Sequence, residues 1–204
     1  MELIKATESD LQELYSLYRR TTESMKQDGL NQWIWGIYPT EEMIREDVER
    51  GELYIARTDG VLTAAIMLTE IPDPGYEGVS WTGGVHPGFF HRLAVDPPQR
   101  DTGIGADVLD DAIQILRRAG CDCVRCDTNV KNERAVHLYT KMGFRKCGTV
   151  HWEETPDETY YTFDKRLKRV TPLWPIRMIP AFRWGTETPW GGDKLRKCYH
   201  KETS

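Results

Sequence analysis

The chain has 204 residues, of which 39% are hydrophobic and 29% are charged, a length and balance typical of a globular protein with one well-filled core. Its formal net charge of −5 argues against general nucleic-acid binding, because no basic face dominates the sequence. The sequence shows no secretory signal and no apolar run of transmembrane length, so we expect a cytoplasmic protein that does not bind membranes.

The first predicted elements are a short strand and two helices. Residues 3–4 are strand-like, and Ser9 and Gln12 have the spacing of a capping box, so we expect a helix to begin there. Thr40 is a suitable N-cap for a second helix, which Gly51 would end.

Two loops and a hairpin follow this start. The loop at residues 28–39 is rich in aromatic side chains, among them Trp33, Trp35 and Tyr38, which could line an acceptor site or cap the core between the helices. Residues 53–56 and 61–69 read as a hairpin around Asp59-Gly60, and the prolines and glycines of residues 70–88 predict a long loop.

The second half of the chain alternates strands and helices up to residue 167. We expect strands at 89–95, 123–128, 145–152 and 158–167, and helices from Ile104 to near Gly120 and over 131–142. The order β-α-α-β-β-β-α-β-α-β-β predicts an α/β (α+β) domain over residues 1–167 with a mixed sheet and packed helices. Residues 168–204 lack periodicity and are expected to form an irregular C-terminal arm.

The five cysteines do not predict a metal site. Cys121, Cys123 and Cys126 lie close together, but they lack the paired spacing of common zinc modules. In a strand, Cys123 and Cys126 would point to opposite faces. We therefore expect free thiols in a reducing compartment and no bound metal.

The most informative segment is the turn that joins the strand 89–95 to the following helix. Arg100, Gly103 and Gly105 form an Arg-x-x-Gly-x-Gly pattern, in which glycines let backbone N–H groups converge on an anion at a helix N-terminus. The pattern lacks the Gly-Lys-Ser/Thr of a Walker loop and the third glycine of a dinucleotide fingerprint. From these residues alone, a phosphate site and an ordinary strand-to-helix turn both remain open.

A second motif follows the next strand. Asn132, Ala135, Tyr139, Gly143 and Phe144 occur in the spacing Asn-x-x-Ala-x-x-x-Tyr-x-x-x-Gly-Phe. Together with the glycine turn, this segment resembles the GNAT family of acyl-CoA-dependent N-acetyltransferases, and the resemblance covers about residues 1–167. It implies a mixed, mostly antiparallel central sheet flanked by helices, with acetyl-CoA as co-substrate.

The resemblance also implies a binding surface for coenzyme A. The turn would hold the pyrophosphate, and the backbone of the preceding strand would pair with the pantetheine arm and polarise the thioester carbonyl. The implied cofactor-binding residues are Leu93, Ala94, Val95, Arg100, Asp101, Thr102, Gly103, Ile104, Gly105, Asn132 and Tyr139.

Tyr139 is the expected general acid, since a phenol can protonate a departing thiolate; as a residue alone it could equally be a core aromatic. Asn132 would hydrogen-bond the cofactor, although a helix N-cap has the same sequence pattern. For the general base there are two candidates. His91 is expected to share a strand face with Leu93 and Val95, and Glu70 ends the strand before the long loop.

The acceptor is expected to be a small-molecule or peptide amine, recognised by the loops 28–39 and 70–88. An alternative is a regulatory domain that binds acyl-CoA without turnover, and a second copy of the chain is a candidate partner. Thr188 to Leu195 weakly resembles the opening segment of type I phosphomannose isomerases, which suggests a third hypothesis, a sugar-phosphate-linked interaction protein.

Overall fold

A computed structural model describes residues 2–153 and 155–167. The predicted arm and its resemblance to phosphomannose isomerases lie outside these residues, as does Cys198. The seven strands are β1 Ile4–Lys5, β2 Leu53–Thr58, β3 Val61–Thr69, β4 Pro87–Val95, β5 Cys123–Asn129, β6 Arg145–Trp152 and β7 Thr155–Arg166. The four α-helices are α1 Leu11–Gln27, α2 Glu41–Glu49, α3 Ile104–Arg118 and α4 Glu133–Lys141, and short 3₁₀ turns occupy Glu8–Asp10, Pro74–Tyr76 and Pro97–Gln99.

The strands form one sheet in the order β1-β2-β3-β4-β5-β7-β6. Neighbouring strands are antiparallel except for β4 and β5, which are parallel. The predicted order of elements and the mixed, mostly antiparallel sheet are therefore confirmed. Strands β4 and β7 begin earlier than predicted, at Pro87 and Thr155.

Helix caps account for two of the element boundaries. Thr40 Oγ1 accepts a hydrogen bond from the N–H of Met43 at 3.1 Å, which starts α2 as predicted. The predicted capping box at Ser9 and Gln12 is wrong, because the capping box lies two residues earlier, at Thr7 and Asp10. There, the Asp10 carboxylate accepts the N–H of Thr7 at 2.8 Å.

The two faces of the sheet are covered by different helices. Helices α1 and α2 pack on one face with Leu14, Leu17 and Ile44 fully buried, and α3 and α4 pack on the other around Val108 and Leu109. Burial of such apolar side chains supplies most of the stabilisation of the domain. In the described residues, no helix has the length and apolar character needed to cross a membrane.

Candidate active site

Strands β4 and β5 pair over only part of their length. Pro87, Gly88 and Phe89 are in register with Cys123, Val124 and Arg125, and the pairing ends there. The rest of both strands diverges, which leaves a cleft between residues 90–95 and 126–129. This cleft leads directly to the turn after β4.

The backbone of β4 presents hydrogen-bonding groups to this cleft because of a bulge. The register with β3 shifts between Ala65 and Met67, and Arg92 has a φ of 50°. Beyond the bulge, the N–H of Asp96 bonds the carbonyl of Thr63 at 2.9 Å. Since these groups alternate sides along a strand, the N–H groups of Leu93 and Val95 point away from β3 and into the cleft.

The same bulge changes which side chains share a face. Leu93 and Val95 pack against the core below α3 and α4, whereas the rings of His91 and Tyr76 stack with centroids 6.1 Å apart on the other face. The expectation that His91 shares a face with Leu93 and Val95 is therefore wrong, because the extra residue at the bulge interrupts the alternation.

Glu70 lies outside the cleft. It is exposed and follows Thr69, which is in register with Phe89 at the closed end, where β4 and β5 still pair. Leu93 is about five residues further along the strand, roughly 17 Å away. This antiparallel register separates Glu70, the second candidate for the general base, from the open part of the cleft.

The glycine turn has the conformation that an anion site requires. Gly103 has a φ of 96° and is the N-cap of α3, and a Cβ atom there would meet no atom within 4 Å. The N–H groups of Ile104 and Gly105 lie before the first helical hydrogen bonds, which Ala106 and Asp107 donate to the carbonyl of Gly103. Asp101, Thr102 and the Cα of Gly103 are exposed, so an anion can reach the turn.

The Arg100 side chain is held by the end of α1. Its Nη1 donates to Ser24 Oγ at 2.6 Å and lies 3.7 Å from the Asp28 carboxylate. The same Asp28 oxygen is 3.7 Å from Arg134 Nη1. Two guanidinium groups therefore flank one exposed carboxylate beside the turn, and their mutual repulsion together with burial lowers the pKa of Arg100.

Tyr139 stands on the α3 and α4 side of the cleft. It is 5% exposed, and its ring makes edge contacts with Phe90 at 5.4 Å and Phe163 at 5.5 Å. Burial raises the pKa of its hydroxyl well above 10. It is thus both a core aromatic and a protonated donor.

Asn132 is the N-cap of α4, as one of the two interpretations predicted. Its Oδ1 accepts the N–H of Ala135 at 3.1 Å. Its Nδ2 donates to Gln32 Oε1, also at 3.1 Å. The residue therefore joins α4 to the aromatic loop after α1, in which Trp33 is buried against Tyr18 as a core residue.

A carboxylate that sequence reasoning missed lies on the opposite side of the cleft. Asp127 of β5 accepts hydrogen bonds from the Tyr76 hydroxyl and from Trp152 Nε1, the latter at 3.2 Å. Burial raises the pKa of Asp127 to about 6, although both hydrogen bonds oppose the rise. An acidic residue at the end of the run Cys-Val-Arg-Cys-Asp, within a predicted strand, was the available signal.

His91 is a neutral side chain at this position. Burial, aided by the charge of Arg92, lowers the pKa of its imidazole to about 3. Next to it, the Arg92 guanidinium donates to Asp47 and, at 3.3 Å, to the Tyr38 hydroxyl. The face that holds Asp127 is thus lined by aromatic rings and a paired arginine.

The three clustered cysteines have free side chains, as predicted. Cys121, Cys123 and Cys126 are buried free thiols, and burial raises the pKa of each. Among residues 2–153 and 155–167, no group of three or more His, Cys, Asp or Glu side chains is placed to hold a metal ion.

Known proteins with similar sequences and folds agree with this geometry. The chain is 25% identical over 166 residues to the uncharacterized N-acetyltransferase YesJ of Bacillus subtilis, which covers 79% of this chain and 88% of YesJ. The fold matches a GNAT-family acetyltransferase of Streptococcus agalactiae with a TM-score of 0.74 and 21% identity, covering 82% of this chain and 96% of that one. It also matches the PaiA N-acetyltransferase of Thermoplasma acidophilum in complex with coenzyme A, with a TM-score of 0.63 and 19% identity over 81% and 98% of the two chains.

A sequence model described as "Acetyltransferase (GNAT) family" matches residues 11–144, which include the glycine turn, the β4–β5 cleft and α4. The chain therefore belongs to the acetyltransferase (GNAT) family.

Proposed function

We propose that the protein transfers an acetyl group from acetyl-CoA to an amine in a ternary complex formed at the β4–β5 cleft. The observation that carries this proposal is the continuity of three features. Pairing of β4 and β5 ends at Phe89, the N–H groups of Leu93 and Val95 face the opening, and the cleft leads to the turn at Gly103. Coenzyme A bound by the solved relative from Thermoplasma acidophilum supports the same co-substrate here.

In this proposal the turn receives the pyrophosphate. The left-handed Gly103 leaves space for it, and the free N–H groups at the start of α3 favour a negative group there. Arg100 and Arg134 add positive charge near the turn, and a phosphate would compete with Asp28 for them. Leu93, Ala94 and Val95 form the platform along which the pantetheine arm would run.

The chemistry is direct attack by the amine nitrogen on the thioester carbonyl. A C–N bond forms, the C–S bond breaks, and the thiolate of coenzyme A leaves. Backbone N–H groups at Leu93 and Val95 would stabilise the negative oxygen of the tetrahedral intermediate. Binding both substrates side by side supplies the proximity that makes a covalent enzyme intermediate unnecessary.

Tyr139 would donate to the leaving sulfur. Burial raises the pKa of its hydroxyl well above 10, so the hydroxyl remains protonated at neutral pH. A neutral phenol can hydrogen-bond the developing thiolate and supply its proton.

Asp127 would take the proton that the attacking amine must lose. It lies in the divergent part of β5, on the face opposite Tyr139, and Tyr76 and Trp152 orient its two oxygens. A raised pKa narrows the gap to that of an alkylammonium group, which favours proton transfer. His91 has its pKa lowered to about 3 by burial, and Glu70 lies outside the cleft.

The amine would approach from the Asp127 face, between the loops 28–39 and 70–88. Tyr38 belongs to the first loop and Tyr76 to the second, and both approach the cleft. The proposed acceptor is a small-molecule amine or a peptide amine. The cytoplasm is its proposed location, since the buried thiols of the chain suit a reducing compartment.

The experiment is a thermal-shift titration followed by an acceptor screen. Excess acetyl-CoA should raise the melting temperature, and coenzyme A release should then be measured with polyamines, amino acids, aminoglycosides and peptide N-termini. Absence of any stabilisation would exclude the proposal. Stabilisation without release across the screen would favour the sensor hypothesis instead.

A further inference from the structure

A tyrosine of α1 is bonded to the backbone of the β4 bulge. The hydroxyl of Tyr18 donates to the carbonyl oxygen of Arg92 at 2.9 Å, although the two residues are 74 positions apart in sequence. Tyr18 is fully buried, and its ring packs against Trp33. This bond connects the helix that covers one face of the sheet to the strand that lines the cleft.

Arg92 occupies a backbone conformation that needs support. A φ of 50° lies in the left-handed region, which costs a residue with a side chain about 1 kcal/mol or more. The guanidinium is fixed by Asp47, which has no exposed surface, and by the Tyr38 hydroxyl. These contacts hold the side chain, whereas the Tyr18 bond acts directly on the carbonyl.

The direction of that carbonyl fixes the direction of the next amide. In a trans peptide, the C=O of residue 92 and the N–H of residue 93 point in opposite directions. Tyr18 attracts the carbonyl toward the α1 face, away from the opening between β4 and β5. The N–H of Leu93 is consequently turned to the cleft, in agreement with the alternation that the Asp96–Thr63 bond establishes.

We propose that Tyr18 is a positioning residue for acyl transfer, which holds the peptide between Arg92 and Leu93 so that the Leu93 N–H faces the thioester carbonyl. This inference rests on the proposed function, since it assigns Tyr18 to the same reaction. Tyr18 contacts neither substrate. It acts through the peptide group between Arg92 and Leu93. Without the Tyr18 bond, this peptide group could adopt other orientations in the strained bulge.

Helix α1 supplies a matched control one turn earlier. Tyr15 is also buried, at 8% exposed, and belongs to the same hydrophobic cluster. The charged group beside its hydroxyl is Arg45 of α2, and the hydroxyl is not bonded to the β4 bulge. Tyr15→Phe therefore removes a buried hydroxyl from the same helix without touching the bulge.

The experiment compares Tyr18→Phe and Tyr15→Phe with the wild type. We expect kcat of Tyr18→Phe to fall about tenfold, because misplacement of one oxyanion donor weakens transition-state stabilisation. The KM values for acetyl-CoA and for the acceptor should change less than twofold. Tyr15→Phe should keep the wild-type kcat.

A second measurement does not depend on turnover. The amide NMR resonance of Leu93 is recorded once with acetyl-CoA bound and once with coenzyme A bound. The difference in chemical shift between the two complexes should be the same in the wild type and in Tyr15→Phe, and it should be smaller in Tyr18→Phe. A reduced difference supports the positioning role even if the acceptor is still unknown.

Two results would overturn the inference. One is a Tyr18→Phe enzyme whose kcat equals that of Tyr15→Phe, and the other is a Leu93 resonance that responds equally in both variants. If the wild type binds acetyl-CoA but acetylates no amine, the proposed function fails and the Leu93 resonance alone decides on the orientation of the amide. If the wild type binds no acetyl-CoA, both proposals fail.

Discussion

The hydroxyl of Tyr76 and the carboxylate of Asp127 form a hydrogen bond that joins the loop after β3 to the middle of β5. The bond closes the loop over the carboxylate, and burial then raises the pKa of Asp127 to about 6. If Asp127 is the base, only its ionised form can accept the proton. We therefore expect kcat/KM to rise with pH through about 6 and to level off above it, in a pH–rate profile with a saturating concentration of acetyl-CoA.

Replacing Asp127 by Asn should lower kcat about 100-fold, because an amide cannot accept the proton at this position. Affinity for acetyl-CoA, measured by calorimetry, should be unchanged. Glu70→Gln is the matched control, since it removes an exposed carboxylate outside the cleft and should leave kcat at the wild-type value. Full activity of Asp127→Asn would exclude Asp127 as the base.

The Asp127 carboxyl should also make the stability of the protein depend on pH. Activity is expected to rise with pH, whereas stability is expected to fall. Its pKa is raised in the folded state above the ordinary value of 3.8, so its stabilising contribution is complete below about pH 4 and is lost as the pH rises through about 6. Between pH 4 and pH 8 we expect this group to lower the free energy of unfolding of the wild type by about 1–3 kcal/mol, a fall that Asp127→Asn should lack. Urea unfolding of both proteins at pH 4 and at pH 8 measures this, and an equal pH dependence in the two would contradict it.

His91 provides a test of the assignment, since a rise in activity near pH 6 is easily attributed to a histidine. The pKa of His91 is lowered to about 3 by burial and by Arg92, so its imidazole does not titrate near pH 6. His91→Phe keeps the stacking with Tyr76 and should keep the rise in kcat/KM near pH 6. If the rise disappears in this variant, the titrating group is His91 and not Asp127.

Much of the fold could be predicted from the sequence, because the spacing of hydrophobic residues and the turn residues determine helices and strands locally. The helix over 131–142 and the N-caps at Thr40 and Asn132 followed from such signals. The bulge at Arg92 did not, since one extra residue in a strand leaves no mark in a run of alternating side chains. That single residue moved His91 to the other face.

The role of Asp127 was inaccessible for a different reason. Its environment is made by Tyr76 and Trp152, which are 51 and 25 positions away in sequence. Only the folded loop and strand β6 bring these donors to it, so a pattern within β5 could show an unusual acid but not its partners or its pKa.

Tyr139→Phe should reduce kcat at least tenfold while acetyl-CoA binds as before. The ring packs against Phe90 and Phe163, and phenylalanine retains these contacts, so the loss is confined to the hydroxyl. Because burial raises the pKa of Tyr139 well above 10, the wild type should show no alkaline loss of activity from this residue below pH 9. Steady-state kinetics with a fluorescent thiol probe would detect both effects, and an unchanged kcat would remove Tyr139 from the reaction.

The glycine turn can be tested against the other end of its own helix. Gly103 and Gly120 flank α3 with φ of 96° and 101°, and a Cβ atom at either position meets nothing within 4 Å. Valine at either site is therefore strained by backbone conformation and not by crowding, and each variant should lose about 1–2 kcal/mol of stability. Only the N-terminal end of the helix presents free N–H groups to an anion.

We expect Gly103→Val to weaken the binding of coenzyme A at least tenfold in calorimetric titrations, and Gly120→Val to leave it unchanged. Equal affinities in the two variants would mean that the turn does not bind the pyrophosphate, whereas a loss confined to Gly103→Val separates anion binding from the general cost of a β-branched residue in the left-handed region.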